Sequence, residues 1–447
     1  MAKIPGTVRA LLDDLSNEFR PSVWQRFVGM LTATVMIRGR RTISRLIRWS
    51  GSSGHFSSFN RVFSHRRWSS MALARKLAYA VVDRFVPEGT MLLAGDDTVS
   101  QHRGEHVYGK GCHRDAVRSS HGHLVHRWGH KWVVLALRVK VPGASRTWAL
   151  PMLVALYRTP QESAKEGLIH KTPPKLMCGL LAVWMRWFPG RKIVFSGDGG
   201  FATHEVARFA ARHRGQLTLV SKFLPNAVLH APPSQRKPGQ IGRPRITGKR
   251  LPSPSEVVES TRKRRRVTVA WYGGGKRRVE VVSGVGHWYR QGHGLVKIRW
   301  IYVHDLTGDH RDDYFFTTDA RMSVAKIVEM FVGRWDIEVT FAEMREHLGL
   351  ETTRGRQRQT VLRAEPCLFC LYTLVVYWYV HLPHRNAREL HVSWHRKEAI
   401  VFADAIISVR RTAWDQYLFQ RPTKRPTVEK LNRRTRKTIL DALALAE

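Results

Sequence analysis

The segment FVGRWDIEVTFAEMR, residues 331–345, combines a carboxylate with two guanidinium groups at regular spacing. Phe331, Arg334, Glu338 and Arg345 follow one another at steps of three, four and seven residues. In a helix these steps place all four side chains on one face. A glutamate placed in this way can bind a divalent metal ion while the flanking arginines bind phosphate oxygens. The spacing also fits an ordinary amphipathic helix with ion pairs, and the segment alone does not decide between the two.

Two other acidic positions follow short apolar runs. Asp96 and Asp97 come after TMLLAG, and Asp198 comes after RKIVFSG. A set of two aspartates and one glutamate can hold two divalent metal ions about 4 Å apart, which activate the attacking oxygen and stabilise the leaving oxygen of a phosphodiester. Hard oxygen ligands favour Mg²⁺. An aspartate that ends a strand is more often a cap or turn residue, so the metal hypothesis depends on Asp96 (or Asp97), Asp198 and Glu338 together.

The hydrophobic pattern indicates which elements position these acids. From residue 90 it predicts three strands, a helix, a strand, a helix and a strand, which is the element order of the ribonuclease-H-like fold. Functional residues in α/β sheets gather at the carboxyl ends of strands. We therefore expect an α/β ribonuclease-H-like catalytic core with a β-rich insertion, and an α-helical N-terminal DNA-binding region.

With these residues the sequence resembles the DDE transposases of bacterial insertion sequences. The branch is the insertion sequence four superfamily, whose signature is Tyr, two residues, Arg, three residues, Glu, six residues, Lys. Phe331, Arg334, Glu338 and Arg345 match that spacing, with Phe for Tyr and Arg for Lys. GDDT resembles the first acidic motif and favours Asp96, with Asp97 as second choice, and SGDGGF resembles the second motif, with Asp198.

The resemblance implies a DNA transposase that binds terminal inverted repeats, cleaves DNA at the element ends and joins the 3′ ends to target DNA. It implies a homodimer on DNA and two Mg²⁺ ions per site, with Mn²⁺ as a substitute, held by Asp96, Asp198 and Glu338. Arg334 and Arg345 would bind DNA phosphate, and Phe331 cannot make a contact that needs the tyrosine hydroxyl. The family's base-stacking tryptophan has two candidate counterparts here, Trp288 and Trp271. The alternatives are a nuclease of the same fold without strand transfer, and a non-catalytic DNA-binding protein descended from a transposase.

The composition points to a nucleic-acid partner. The 447 residues include 75 Lys and Arg against 35 Asp and Glu, which gives a net charge of +40. Such a surplus favours a polyanion, here double-stranded DNA. Four scattered cysteines predict a reducing compartment, and the N-terminus lacks the apolar core of a signal peptide. We expect a bacterial cytoplasmic, nucleoid-associated protein without a membrane partner, and no nucleotide cofactor because GDGG and YGGGK lack phosphate-loop spacing.

The sequence divides into regions of different pattern. Residues 41–69 fit a helix-turn-helix, with a plain helical bundle as the alternative, and the apolar run at 366–382 predicts a buried helix too short to span a membrane. The predicted regions are a helical DNA-binding region (1–88), the first part of the catalytic domain (89–223), a basic loop and β-rich insertion (224–318), the completion of the catalytic domain (319–385) and a basic helical C-terminal region (386–447).

Residues 102–130 contain seven of the 22 histidines, together with Cys112. A zinc site is one interpretation, but a single cysteine and these spacings match no usual zinc finger. We favour a loop near the metal ions with basic residues facing DNA. Cys367 and Cys370 form a CxxC pair inside the apolar run, and without a second pair they indicate packing.

Overall fold

The computed structural model describes residues 6–50, 54–115, 119, 122–235, 241–243, 245–382, 399–419 and 432–444. One mixed sheet of twelve strands forms its centre, and helices pack around it. The strands are β1 (Met91–Gln101), β2 (Gly111–Arg114), β3 (His126–Lys140), β4 (Thr147–Tyr157), β5 (Ile193–Gly197), β6 (Leu217–Lys222), β7 (Leu229–His230), β8 (Arg250–Leu251), β9 (Arg265–Ala270), β10 (Lys276–Arg290), β11 (Gly294–Asp305) and β12 (Asp313–Thr317).

The helices occupy the N-terminal region, the connections between strands and the C-terminal third of the chain. They are α1 (Gly6–Ser16), α2 (Pro21–Met36), α3 (Ile43–Ser50), α4 (Phe56–Ser64), α5 (Ser70–Phe85), α6 (Pro160–Lys165), α7 (Pro173–Trp187), α8 (His204–Arg212), α9 (Pro254–Ser260), α10 (Val324–Val332), α11 (Asp336–Glu343), α12 (Arg358–Val380), α13 (Phe402–Phe419) and α14 (Arg433–Ala444).

The predicted order of strands and helices from residue 90 is confirmed, with the short β2 and α6 added to it. Strand β3 pairs antiparallel with β1 and with β4, whereas β1 and β5, and β5 and β6, pair in parallel. β3 carries a run of fully buried residues from Trp132 to Leu137, as expected of a strand covered on both faces, and Met91, Leu93 and Ala94 of β1 are fully buried as well. This part of the sheet carries the two aspartates.

The predicted insertion is not a separate β unit. Its strands β7 to β11 join the same sheet as β1, because β12 pairs with both β11 and β6. Within it β9 and β10 form a hairpin, pairing antiparallel across a turn in which Gly273 and Gly274 have positive φ angles of 70° and 86°. Part of the basic loop, residues 236–240 and 244, lies outside the described residues.

The N-terminal region is helical from α1 to α5, but the predicted second helix of the helix-turn-helix is shorter than expected. Helix α4 ends at Ser64, so the basic residues at 65–67 follow the helix. The carbonyl oxygens of Phe63 and Arg66 accept hydrogen bonds from Arg363 in α12, at 3.2 and 2.8 Å. The end of α4 is therefore fixed to α12. Residues 51–53, the centre of the predicted turn, lie outside the described residues.

The prediction of one continuous helix over residues 331–345 is wrong. Helix α10 ends at Val332, a 3₁₀ turn covers 333–335, α11 follows, and a π-helical turn covers Met344–Leu348. Gly333 lies at the first break, and only glycine fits there, because a Cβ would lie 1.6 Å from the guanidinium of Arg138 in β3. Gly349 ends the π turn with φ at 67°. Such π turns are frequent at functional sites.

Helix α12 is longer than the apolar run predicted, with 23 residues. By length and composition it could cross a membrane, yet 61% of its apolar window is buried inside the protein. It packs against β4, α4, α5 and α13, as a core helix does, so its hydropathy is weak evidence for a span. The C-terminal region is described only in part, since residues 383–398 and 420–431 lie outside the described ranges.

Candidate active site

Asp96 and Asp198 lie side by side on neighbouring strands. Strands β1 and β5 pair in parallel with Gly95 opposite Gly197, so the aspartate that follows each glycine lies just past the end of their pairing. Adjacent strands are about 4.8 Å apart, which is close enough for two carboxylates to share a metal ion. A side chain at residue 95 would clash with Phe195, because its Cβ would lie 2.4 Å from the ring. Both acids were expected at strand ends, but β1 continues beyond Asp96 to Gln101 along β3.

The alternation of side chains along β1 separates Asp96 from Asp97. Asp97 forms an ion pair with Lys131 of β3 at 2.9 Å. Asp96 accepts a hydrogen bond from Arg334 at 2.6 Å, and its side chain is 13% exposed. Thr98, on the same face as Asp96, contacts Arg345. The face of β1 that meets the helix carrying Glu338 is therefore the face of Asp96, which supports Asp96 over Asp97.

Glu338 reaches this face through Arg334. The Arg334 guanidinium donates one hydrogen bond to Asp96 Oδ2 and another, at 2.8 Å, to Glu338 Oε1. Its side chain is 8% exposed, whereas that of Glu338 is 35% exposed. The 3₁₀ turn and α11 keep Arg334 and Glu338 four residues apart on one face even though the longer helix is broken. Two of the three predicted acids, Asp96 and Glu338, thus bond to one arginine, which also lies in the field of Asp198.

The electrostatics of the site favour an additional cation. Burial raises the pKa of Asp96 well above its usual range, the charge of Asp198 raises it further, and Arg334 lowers it. A buried carboxylate beside a second carboxylate is costly unless a cation neutralises it. Asp198 also orders its own loop, because Oδ1 accepts a hydrogen bond from the Gly200 backbone at 3.1 Å. The arrangement has the character of a cation-binding site.

The donor set fits Mg²⁺ better than a soft metal, since Asp96, Asp198 and Glu338 offer only carboxylate oxygens. In this structure their ligand atoms do not all lie within 4.8 Å of one another, as they would around a compact ion site. The Arg334 guanidinium lies between Asp96 and Glu338 and supplies the positive charge there. These residues can therefore hold a divalent ion if the two carboxylates turn from Arg334 towards it.

Arg345 and Phe331 differ from their predicted arrangement. Arg345 lies in the π turn and hydrogen bonds to Thr98 Oγ1 at 2.5 Å and to Glu351 at 3.1 Å. Phe331 is 2% exposed, and its ring packs on Phe315 and on the Arg334 guanidinium. Arg345 therefore meets the same face of β1 as Arg334, but through Thr98 rather than Asp96, and the Phe331 ring lies buried beneath the Arg334 guanidinium. Phosphate binding by Arg334 and Arg345 stays a prediction, and here both arginines bond to protein oxygens.

The candidate base-stacking tryptophans lie in packed surroundings. Trp288 contacts the rings of His204, Phe223 and Phe316, which favours a packing role. Trp271 lies at the end of β9 beside Arg277, with 5.3 Å from the guanidinium to the ring centroid. Base stacking by either stays a prediction. The more accessible ring is Trp335, which is 47% exposed, contacts Tyr272 and lies next to Arg334 in the chain.

The sequence reasoning missed a group that anchors the start of α11. Asp336 accepts hydrogen bonds from Arg138, Arg146 and Thr147, so the β3–β4 hairpin holds the first turn of the helix that carries Glu338. Asp336 is 7% exposed. Its position between Arg334 and Glu338 was visible in the sequence, but its partners lie about 190 residues away in the chain. The sequence carried no signal for the pairing.

Comparison with known proteins identifies the family of this chain. The family model described as DDE superfamily endonuclease matches residues 14–278, which is more than half of the chain and includes Asp96 and Asp198 but ends before Glu338. No curated protein matches. Among solved structures, the chain is similar to the piggyBac transposase in a synaptic complex with hairpin DNA, solved by cryo-EM, with 11% identity, a TM-score of 0.39, and coverage of 98% of this chain and 81% of that one. That score is too low to carry an argument. On the family match, this chain belongs to the DDE superfamily endonucleases.

Proposed function

We propose that this protein is a DNA transposase that binds terminal inverted repeats, cleaves DNA at the element ends and joins the 3′ ends to target DNA. The observation that supports the proposal is that Arg334 bonds to both Asp96 and Glu338, while Asp198 follows the strand paired with that of Asp96. Family membership supports an endonuclease, and the charge of +40 supports a DNA partner. The finer assignment, to the insertion sequence four branch with a ribonuclease-H-like core, rests on the 331–345 signature and the element order.

In this proposal Asp96, Asp198 and Glu338 hold two Mg²⁺ ions, for which Mn²⁺ substitutes. Divalent ions held in this way activate the attacking oxygen and stabilise the leaving oxygen of a phosphodiester. Asp96 and Asp198 are fixed by the β1–β5 pairing, and Glu338 by the contacts that anchor α11. Arg334 holds Asp96 and Glu338 in place before the metal binds and then becomes available to a DNA phosphate. The protein works as a homodimer on DNA in the bacterial cytoplasm.

The test compares cleavage and joining on a supercoiled plasmid that carries the inverted repeats flanking the gene. Wild type is assayed with Mg²⁺ and with EDTA, beside Glu338→Gln and the matched variants Asp96→Asn and Asp97→Asn. The proposal requires Mg²⁺-dependent cuts at the repeat ends and joined products, both lost in Asp96→Asn and Glu338→Gln and retained in Asp97→Asn. Cleavage without joined products would identify the nuclease alternative, and tight binding without cleavage would identify a DNA-binding protein.

A further inference from the structure

A second group of ligand atoms lies inside the protein, away from the acidic site. His102 follows β1, His130 belongs to β3 and Glu365 belongs to α12. The three side chains are at most 5% exposed, and their ligand atoms lie within 4.8 Å of one another. On β1 the group is contacted by Ser100. Asp96 lies four residues earlier on the same strand, and four residues span about 13 Å. The group is therefore distinct from the acidic site.

The hydrogen bonds around His130 orient its ring as a metal ligand. Nε2 lies 2.9 Å from the backbone carbonyl oxygen of Tyr108, so this nitrogen carries the proton and donates it. In the neutral imidazole the lone pair is then on Nδ1, which lies 3.4 Å from Glu365. A histidine that binds a metal usually donates its other ring proton to a carbonyl or carboxylate in this way.

Glu365 is held between the two imidazoles. Its Oε1 lies 2.5 Å from His102 Nε2 and 2.9 Å from Thr353 Oγ1, and the Trp132 indole donates to Oε2. Ser100 Oγ lies 3.2 Å from Oε1 and 3.4 Å from His102 Nε2. Together with His130 Nδ1, four polar atoms therefore lie within 3.4 Å of Oε1 in the interior. Such a carboxylate needs a positive charge beside it, either a protonated histidine or a metal ion.

We propose that His102, His130 and Glu365 form a structural binding site for a divalent transition metal, with Zn²⁺ as the preferred ion. Two nitrogens and one oxygen suit zinc, whereas Mg²⁺ requires an oxygen shell. Two ligands of a tetrahedral zinc ion are roughly 3.4 Å apart, which the distance from His130 to Glu365 already matches. On binding, zinc replaces the proton that His102 shares with Glu365, and the His102 ring moves outward by about 1 Å. The ion joins α12 to strands β1 and β3.

The first test measures bound metal. The full-length protein is purified from zinc-supplemented cells, dialysed without chelator and analysed by mass spectrometry for metal content. We expect one zinc per chain in wild type and in the triple variant Asp96→Asn/Asp198→Asn/Glu338→Gln, which lacks the acidic site. Glu365→Gln removes a ligand and lowers zinc affinity by at least roughly a hundredfold. His126→Gln, an exposed histidine of the same segment, is the matched control and retains the zinc.

The second test uses wild type alone, so it remains decisive if Glu365→Gln does not fold. Cobalt exchanged into the protein should give the visible absorption of a tetrahedral site, and a chelator should lower the thermal unfolding midpoint. The proposal would be overturned if wild type contained no zinc and its unfolding midpoint were the same with added Zn²⁺ and with chelator. The three residues would then form only a buried His–Glu ion pair. Zinc retained by a folded Glu365→Gln would also overturn the proposal, because the ion would then be bound elsewhere.

Discussion

Replacement of Arg334 by methionine tests whether the arginine stands in for the metal ion at the acidic site. Methionine has a similar length and no charge, so the substitution removes the two charge-assisted hydrogen bonds to Asp96 and Glu338 with little change in volume. Breaking a buried ion pair by removal of one partner costs about 3–5 kcal/mol. Glu338 is 35% exposed and contributes little, whereas Asp96 is 13% exposed and carries most of the effect. We therefore expect the lower end of the range, about 3 kcal/mol.

The magnitude can be converted into a measurable shift. An unfolding entropy of about 2.1 cal/mol/K per residue gives about 0.9 kcal/mol/K for the whole chain, so the unfolding midpoint in EDTA should fall by roughly 3 °C. A divalent ion supplies the missing charge, so added Mg²⁺ should raise the midpoint of Arg334→Met by more than that of wild type. Scanning calorimetry at several Mg²⁺ concentrations measures both effects.

The control is Arg321→Met, an exposed arginine shortly before α10, which should unfold as wild type does. A double variant Arg334→Met/Asp96→Asn should recover much of the lost stability, because the unpaired carboxylate is gone. Equal unfolding midpoints for wild type and Arg334→Met in EDTA would refute the reasoning. So would equal stabilisation of the two proteins by Mg²⁺, because Arg334 would then not compete with the ion for the same oxygens.

Three further predictions concern neighbouring residues. Asp96→Asn should lower Mg²⁺-dependent DNA cleavage by at least about a hundredfold. Asp97→Asn loses only a partly exposed ion pair with Lys131, so it should change the free energy of unfolding by less than about 1 kcal/mol. Plasmid cleavage and urea unfolding are measured for both variants. The pKa of Asp96 is raised in the folded protein, so the metal-free protein binds this proton more tightly when folded than when unfolded. Its free energy of unfolding should therefore fall as pH rises from about 4 through the raised pKa. Urea unfolding in EDTA should show that the difference in the free energy of unfolding between wild type and Asp96→Asn grows with pH. Gly333→Ala should destabilise the protein by roughly 1–3 kcal/mol, since the new Cβ would overlap the guanidinium of Arg138. Thermal unfolding against Gly215→Ala, an exposed glycine without positive φ at which a Cβ would meet no other atom, would show whether overlap is the cause.

The sequence was sufficient to predict the part of the fold in which neighbouring elements follow one another in the chain. Apolar runs of strand length, separated by a helix of amphipathic pattern, predicted β1, β3, β4, β5 and β6 in their observed order. Parallel pairing of β1 with β5 then brings Asp96 to Asp198, because both follow the last residue pair of that ladder. This inference needs only local patterns and the tendency of functional residues to lie at strand ends.

The remaining features depend on contacts between distant residues. The restriction of residue 333 to glycine depends on Arg138, and the anchor of α11 depends on Arg146, both from the β3–β4 hairpin. Local spacing predicts a helix and carries no information about a guanidinium that arrives from another strand. The continuity of the sheet through β12 depends likewise on a strand pairing between β6 and a segment about 90 residues later. Glu365 precedes the apolar run at 366–382, and local spacing could not link it to its histidine partner His102, which is 263 residues away.

Strand β1 connects the two proposed metal sites. Three residues on one of its faces, Asp96, Thr98 and Ser100, each contact the segment from Arg334 to Glu365: Asp96 meets Arg334, Thr98 meets Arg345, and Ser100 meets Glu365. The segment is therefore attached to one strand at three successive positions, with the π turn at the middle one. Zinc at the last position would fix α12 against β1. The π turn ends two residues before Leu350, whose carbonyl oxygen accepts a hydrogen bond from Ser100. A displacement of α12 would therefore move this turn, and with it Arg345 and then Glu338. Loss of the buried zinc should accordingly weaken Mg²⁺ binding at the acidic site, and bound Mg²⁺ should strengthen zinc binding by the same factor.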